Sequence, residues 1–208
     1  DEVNETDTDS NLSLKVISGI SEKDSDKLNE LSENNKAQME ELTETAIQNA
    51  ENTTEDSQLI ANVVAVANDE LVNVMVEEVS KTSTDEKQTL SAKVLKAIVD
   101  TEPDKIEIIN DENKETLIVN TVDAAKNQKE GTAAEDAIDY SNIVAEVIVK
   151  TESSTAAKVL EKIEQTDTDS DLKLSVVENI TNQENGERAI EMISAVSTKN
   201  DETILAMP

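Results

Sequence analysis

Four acidic residues near the end of the chain have the spacing of a calcium-binding loop. In "DTDSDLKLSVVE", residues 167–178, the side chains of Asp167, Asp169, Asp171 and Glu178 stand at relative positions 1, 3, 5 and 12. Carboxylate oxygens at those positions are the ligands that Ca²⁺ takes in a twelve-residue loop. Calcium binding is therefore the most specific chemical hypothesis that the sequence offers.

Two features of this segment favour a simpler interpretation. The sixth position of such a loop needs Gly for a sharp turn, but Leu172 occupies it, and the related segment 7–18 has Ser18 where the bidentate Glu should be. Acidic and hydroxyl side chains before an apolar run are also typical of a helix N-terminus, where they accept hydrogen bonds from free N–H groups. We therefore expect helix caps here, no confident metal site and no cofactor, with calcium as the alternative.

Composition argues against several other kinds of chemistry. The chain has no Cys and no His, which excludes Ser–His and Cys–His nucleophilic pairs and the usual zinc sites. Its three glycines, Gly19, Gly131 and Gly186, stand alone, so no Gly-rich phosphate loop exists. Carboxylate pairs are unspecific among 47 acidic residues, because acid–base work also needs a sheltered pocket. We expect a protein that is not an enzyme.

The formal charge of −29 limits the possible partners. Phosphate backbones and anionic membrane surfaces would be repelled, and no apolar run of 18 residues could span a bilayer. We therefore expect no nucleic acid and no membrane insertion. The partner would be a second copy of the chain or another protein, for example a basic one.

The expected compartment is extracytoplasmic or the bacterial cell surface, with a cytoplasmic scaffold as the alternative. An acidic chain that is rich in Thr and Asn and lacks Cys suggests this location. Because the sequence starts at Asp1 rather than Met, we also expect a processed form or a fragment of a longer repeat protein.

The elements that would position these residues are predicted to be helices. Only three glycines and two prolines occur, whereas β-sandwiches and barrels need turn residues every 8–12 positions. Phe and Trp are absent and Tyr140 is the only aromatic, so the core must consist of many small aliphatic contacts. This composition suits thin layers of short helices.

The chain repeats itself. The segment "TDTDSNLSLKVISGI" at residues 6–20 returns as "TDTDSDLKLSVVENI" at residues 166–180, with apolar residues at helical spacing. Fainter copies lie between the two and predict about six helix pairs in one α-solenoid, with units starting near 11, 57, 88, 115, 141 and 170. Residues 1–10 would be an acidic linker, and residues 11–208 a single repeat domain.

The pattern "AAKVLEKI…AIEMI…ETILAMP", within residues 154–208, resembles the short helix pairs of the magnesium-transporter cytoplasmic superhelix and of related flagellar-motor domains. The resemblance implies a right-handed superhelix that serves as an interaction scaffold, and it transfers no site residues. Our leading functional expectation is a structural rod that belongs to a surface stalk, filament or larger assembly and self-associates by stacking. The alternatives are a monomeric binding module for a basic partner and a calcium-dependent surface module.

Overall fold

A computed structural model of the chain describes residues 12–50, 54–81, 85–128, 139–166 and 171–182. Of these residues 89% are helical and none is in a strand, which confirms the all-α prediction. The described residues form eleven helices: α1 (Leu12–Lys23), α2 (Ser25–Asn34), α3 (Lys36–Gln48), α4 (Thr54–Val66), α5 (Asp69–Ser80), α6 (Asp85–Thr101), α7 (Lys105–Ile108), α8 (Asp111–Gln128), α9 (Tyr140–Lys150), α10 (Ser153–Thr166) and α11 (Asp171–Thr181).

The chain divides into two compact units, Asp1–Asn120 and Thr121–Pro208, and the division falls within α8. In the first unit α1 packs against α4, and α4 packs against α6, while α3 packs against α5. Neighbours in sequence also touch, since α2 contacts α1 and α3, and α5 contacts α4 and α6. In the second unit α9 packs against both α10 and α11, which contact each other. Helices that are not consecutive in the chain thus form many of the interfaces.

Short polar side chains begin several of these helices. The Asp24 carboxylate accepts a hydrogen bond from the Lys27 N–H at the start of α2, and Asn68 accepts one from the Leu71 N–H at the start of α5. Each bond satisfies a backbone donor that the helix itself leaves free. Acidic residues also occupy the first turns of α5 and α8, where they favour the positive end of the helix dipole. Local sequence therefore fixes where these helices start.

The core is aliphatic, as composition requires. The following side chains are fully shielded from solvent at the centres of α4, α5, α6 and α9: Ile60, Val63, Val64, Val72, Met75, Val76, Leu90, Val94 and Ile148. Tyr140 is buried at the start of α9. The apolar periodicity of each of these segments therefore marks the face that packs against neighbouring helices.

The two near-identical segments end up in different surroundings. Leu14 of α1 is fully buried, whereas Leu174, its counterpart in α11, is 37% exposed. The expected face of α11 is confirmed, since Leu172, Val176 and Ile180 are buried. In α1 the corresponding residues Leu12, Val16 and Ile20 are only half-buried. The fully buried leucine is Leu14 instead, because α1 packs against α2, α3 and α4 at once.

Two local expectations differ from the structure. Helix α2 was not predicted, since only Leu28 and Leu31 supply its apolar face. Apolar spacing predicts the second helix of a pair in "PDKIEII", with Thr101 or Glu102 as its cap. The segment instead forms just one helical turn, α7, which starts after Asp104 and leaves Pro103 in a turn. Apolar spacing also predicts a helix in "GERAIEMISAV" and the start of a further unit in the terminal "DETILAMP". Both segments lie outside the described residues, as do residues 1–11.

Candidate functional site

The structure describes two of the four residues that the calcium hypothesis named. Asp167 and Asp169 lie outside the described residues, Asp171 is the first residue of α11, and Glu178 lies seven residues later in the same helix with an exposed side chain. Seven residues correspond to about 10 Å of helical rise, on nearly the same face of the helix. Within the described part of the chain, no three Asp or Glu residues form a group that could hold a metal ion. Calcium binding stays a prediction.

A polar groove of about 390 Å³ opens in the second unit, beside Glu178. It lies where the start of α9 meets α11 and the last part of α8. The residues that line it are Ala125, Asp139, Ser141, Leu172, Ser175, Glu178 and Asn179. Asp139 and Glu178 place two carboxylates in one groove, the arrangement that could in principle serve ligand binding or acid–base chemistry.

The bonding of Asp139 assigns this carboxylate a structural role. Its Oδ1 accepts hydrogen bonds from the Ser141 hydroxyl at 2.6 Å, the Ser141 N–H at 2.9 Å and the Asn142 N–H at 3.2 Å. Partial burial raises the pKa of Asp139, but these bonds and one from Asn179 outweigh burial and hold the pKa below its usual value. The group is therefore ionised at neutral pH, caps α9, and is a poor proton donor.

Asn179 joins α11 to the capped end of α9. Its Nδ2 donates to the Ser141 hydroxyl at 2.9 Å and lies 3.4 Å from Asp139 Oδ2. The aliphatic contacts between the two helices thus end in a directional polar contact. The groove is in these respects a junction between α9 and α11.

A related but more regular contact occurs twice in the first unit. Asn29 of α2 reaches the connection between α4 and α5, where its Nδ2 donates to the Val66 carbonyl at 3.3 Å and its Oδ1 accepts from the Asn68 N–H at 2.8 Å. One side-chain amide therefore satisfies a donor and an acceptor of a segment that is distant in the sequence.

Asn73 of α5 makes the same pair of bonds to the connection before α8. Its Nδ2 donates to the Ile108 carbonyl at 3.3 Å, and its Oδ1 accepts from the Asn110 N–H at 2.7 Å. The Asn113 amide adds a bond to the Asn73 carbonyl at 3.3 Å. We call Asn29 and Asn73 the bridging asparagines.

The helical-periodicity reasoning missed these residues, although the sequence carries a signal for their targets. The tripeptide Asn-Asp-Glu occurs at residues 68–70 and again at 110–112, and both copies start a helix that a bridging asparagine holds. A third copy, at residues 200–202, lies outside the described residues. The repeated tripeptide marks the interval between the starts of α5 and α8, which apolar spacing alone does not reveal.

Lysines make further connections between helices of the first unit. Lys36 pairs with Glu70 and thereby links α3 to α5, and the hydrogen bond to Glu70 is the main reason why the pKa of Lys36 is raised. The Lys105 ammonium donates to the Ala67 carbonyl at 2.9 Å, just past the C-terminal end of α4, where positive charge is favourable. Lys114, buried in α8, pairs with Glu107 at 3.1 Å.

None of the described helices is both long and apolar enough to cross a membrane. The resemblance of residues 154–208 to transporter and flagellar-motor helix pairs stays a prediction, and residues 183–208 of that segment lie outside the described part. A scan against protein-family models, a search of curated proteins and a search of solved structures each find no match to this chain.

Proposed function

We propose that the chain is a non-enzymatic scaffold, an acidic helical-repeat rod that works as part of a surface stalk, filament or larger assembly through stacking and self-association. The observation that carries this proposal is the packing in alternate rows within the first unit. One row consists of α1, α4 and α6, and the other includes α3 and α5. Such packing is expected when each helix pair buries its faces against the pairs before and after it.

Helix spacing supports a longer repeat than the apolar pattern suggested. The helices α2, α5, α8 and α10 begin at Ser25, Asp69, Asp111 and Ser153, at nearly equal intervals. The interval falls within the range of roughly 40–47 residues that is typical of HEAT and armadillo repeats. The proposal therefore groups these helices into four units, with α8 as the second helix of its pair, rather than six units of shorter period.

A binding module for a basic partner is the second candidate. Exposed acidic residues precede or open the second helices of the proposed pairs: Asp24, Asp26, Asp69, Glu70, Asp111 and Glu112. Because Asn29 contacts the start of α5 and Asn73 contacts the start of α8, these charges recur at the starts of the three helices that the bridging asparagines connect, α2, α5 and α8. A row of like charges would attract a cationic segment and discriminate against an acidic one.

Light scattering separates the two candidates. The molar mass of the purified chain is measured from about 1 µM to 500 µM, at low salt and at about 0.5 M NaCl, where charges are screened beyond a few ångströms. Self-association predicts growth beyond 22.6 kDa that is stronger at high salt, since like charges oppose assembly. A constant monomer mass in both salts would refute assembly by this chain. Titration with poly-lysine, with poly-glutamate as the control, would then test the second candidate.

A further inference from the structure

We infer that Asn29 and Asn73 are register residues: Asn29 fixes how α2 is aligned with the start of α5, and Asn73 fixes how α5 is aligned with the start of α8. The two asparagines occupy equivalent positions, five residues after the N-caps Asp24 and Asn68. Each binds the carbonyl two residues before the next N-cap and the N–H of that N-cap itself, at Val66 and Asn68 and at Ile108 and Asn110. This inference concerns assembly of the fold and holds whether or not the chain self-associates.

The backbone N–H groups at the starts of α2, α5 and α8 show what the bridging asparagines contribute. At the start of α2, the Asp24 N–H donates to the Ile20 carbonyl of the preceding helix, α1, at 2.8 Å. At α5 and α8 the corresponding donors, the Asn68 and Asn110 N–H groups, bond to the bridging asparagines instead. The Asn68 N–H belongs to a half-buried residue, and a backbone N–H that is shielded from water costs free energy when it loses its partner. Asn110 is exposed, so its bond to Asn73 contributes alignment rather than relief of a buried donor.

The side-chain amide of Asn makes the two bonds from two different atoms. The Asn oxygen accepts from the N–H while its nitrogen donates to the carbonyl, whereas an ionised Asp can accept but not donate, and Leu can do neither. Gln has the same groups on a longer chain, which would displace both atoms. Because the two targets lie two residues apart in one turn, sliding either helix by one residue would break both bonds.

The composition of the core explains why such a device is useful here. With Tyr140 as the only aromatic and no Phe or Trp, the helix interfaces consist of Val, Ile, Leu, Ala and Met. Aliphatic side chains of similar size tolerate alternative packings better than large shape-specific ones, and uniqueness is lost before stability. Directional bonds at the helix starts then select one alignment among several of similar packing energy.

Amide hydrogen exchange at single residues tests the inference. In Asn73→Ala we expect exchange of the Asn110 N–H to accelerate about tenfold, because its acceptor is gone, while exchange of the Asn68 N–H stays unchanged. In Asn29→Ala we expect the reverse. Asn73→Asp keeps the acceptor, so the Asn110 N–H should retain most of its protection. The control is Asn62→Ala, since Asn62 accepts a bond from Gln58 within α4 and should alter neither amide.

The pattern of the two amides distinguishes a register contact from general stabilisation. Equal acceleration at Asn68 and Asn110 in either alanine variant would overturn the inference, as would unchanged exchange at the targeted amide in a folded variant. If circular dichroism shows that Asn73→Ala is unfolded, Asn73→Ser is measured in its place, because the hydroxyl is too short to reach Asn110. The same two outcomes then decide.

Discussion

Replacing Val176 with Asp should unfold the second unit at neutral pH, whereas Asp at the neighbouring position 174 should be tolerated. Val176 is 1% exposed in α11, and Leu174, two residues earlier in the same helix, is 37% exposed. Both variants introduce one carboxylate into one helix. They therefore share the change in charge and differ mainly in burial, while helix propensity slightly disfavours Leu174→Asp, because Leu is the better helix former and Val is similar to Asp.

The expected cost of Val176→Asp has three parts. Loss of a buried Val side chain costs about 1.5 kcal/mol. A buried carboxylate will protonate rather than stay charged, and protonation at pH 7 of a group whose usual pKa is near 4 costs about 4 kcal/mol. Burying the neutral acid without a partner costs about 1–3 kcal/mol more. The sum, roughly 7 kcal/mol, is comparable with the whole stability of a small domain, about 5–15 kcal/mol.

Tyr140 makes the measurement selective. It is the only Tyr in a chain without Trp, it is buried, and it belongs to the second unit, so its fluorescence during urea unfolding reports that unit. Leu174→Asp should lower the urea midpoint by about 1–2 M, for a cost of about 1–2 kcal/mol and a slope near 1 kcal/mol/M. Val176→Asp should show the unfolded signal of Tyr140 without urea.

The pH dependence provides a second, independent check. A carboxyl introduced by Val176→Asp and buried in α11 would have a folded-state pKa above its unfolded value, so the penalty is largest at high pH and shrinks as pH falls toward about 4. The variant should therefore regain folded Tyr140 fluorescence on acidification. Equal midpoints for the two variants, or a penalty that does not depend on pH, would refute the assignment of Val176 to the core.

Three other perturbations have expected outcomes. Asp139→Ala should destabilise the second unit by about 1 kcal/mol through loss of the α9 cap. Because the pKa of Asp139 is lowered in the folded state, the stability that its carboxylate contributes is present above about pH 4 and is lost below it. The urea unfolding curves of variant and parent, followed by Tyr140 fluorescence, should therefore converge at acid pH. Lys114→Met should lower the free energy of unfolding by about 1–3 kcal/mol, measured by urea unfolding followed by circular dichroism. Adding Glu107→Gln should recover part of that loss, and a coupling energy of zero between the two substitutions would contradict a contribution from this pair. Raising NaCl from about 0.02 M to 1 M should raise the melting temperature, since 47 acidic residues face 18 basic ones, and a decrease would mean that attractive pairs dominate.

Apolar periodicity predicted most helices because it reports directly on burial. In α5 the expected positions Leu71, Val72, Met75, Val76 and Val79 are all buried. Apolar periodicity fails for α2, because most of its ten residues are polar and only Leu28 and Ser32 are buried. The N-cap at Asp24 was the available indication, and a short polar pattern of this kind occurs in many turns as well.

The environment of a residue depends on neighbours that its own helix does not encode. Leu14 and Leu174 follow nearly the same sequence, yet one is fully buried and the other is 37% exposed, because α1 packs against three helices. A local repeat therefore predicts a helix and its start, but not how many sides of that helix are covered. The same limit applies to the candidate site. Glu178 was named from its spacing within one segment, whereas Asp139, its companion in the groove, caps a different helix.

The repeat length shows the same distinction between signals within helices and signals between them. Apolar residues every three or four positions specify one helix at a time, so their spacing alone does not define the length of a repeating unit. The bonds from Asn29 to Asn68 and from Asn73 to Asn110 instead connect α2 to the start of α5 and α5 to the start of α8. In a core of interchangeable aliphatic side chains, packing energy discriminates weakly between alignments, and directional contacts add that discrimination. The polar residues at helix starts thus carry information about the alignment of helices that apolar periodicity lacks.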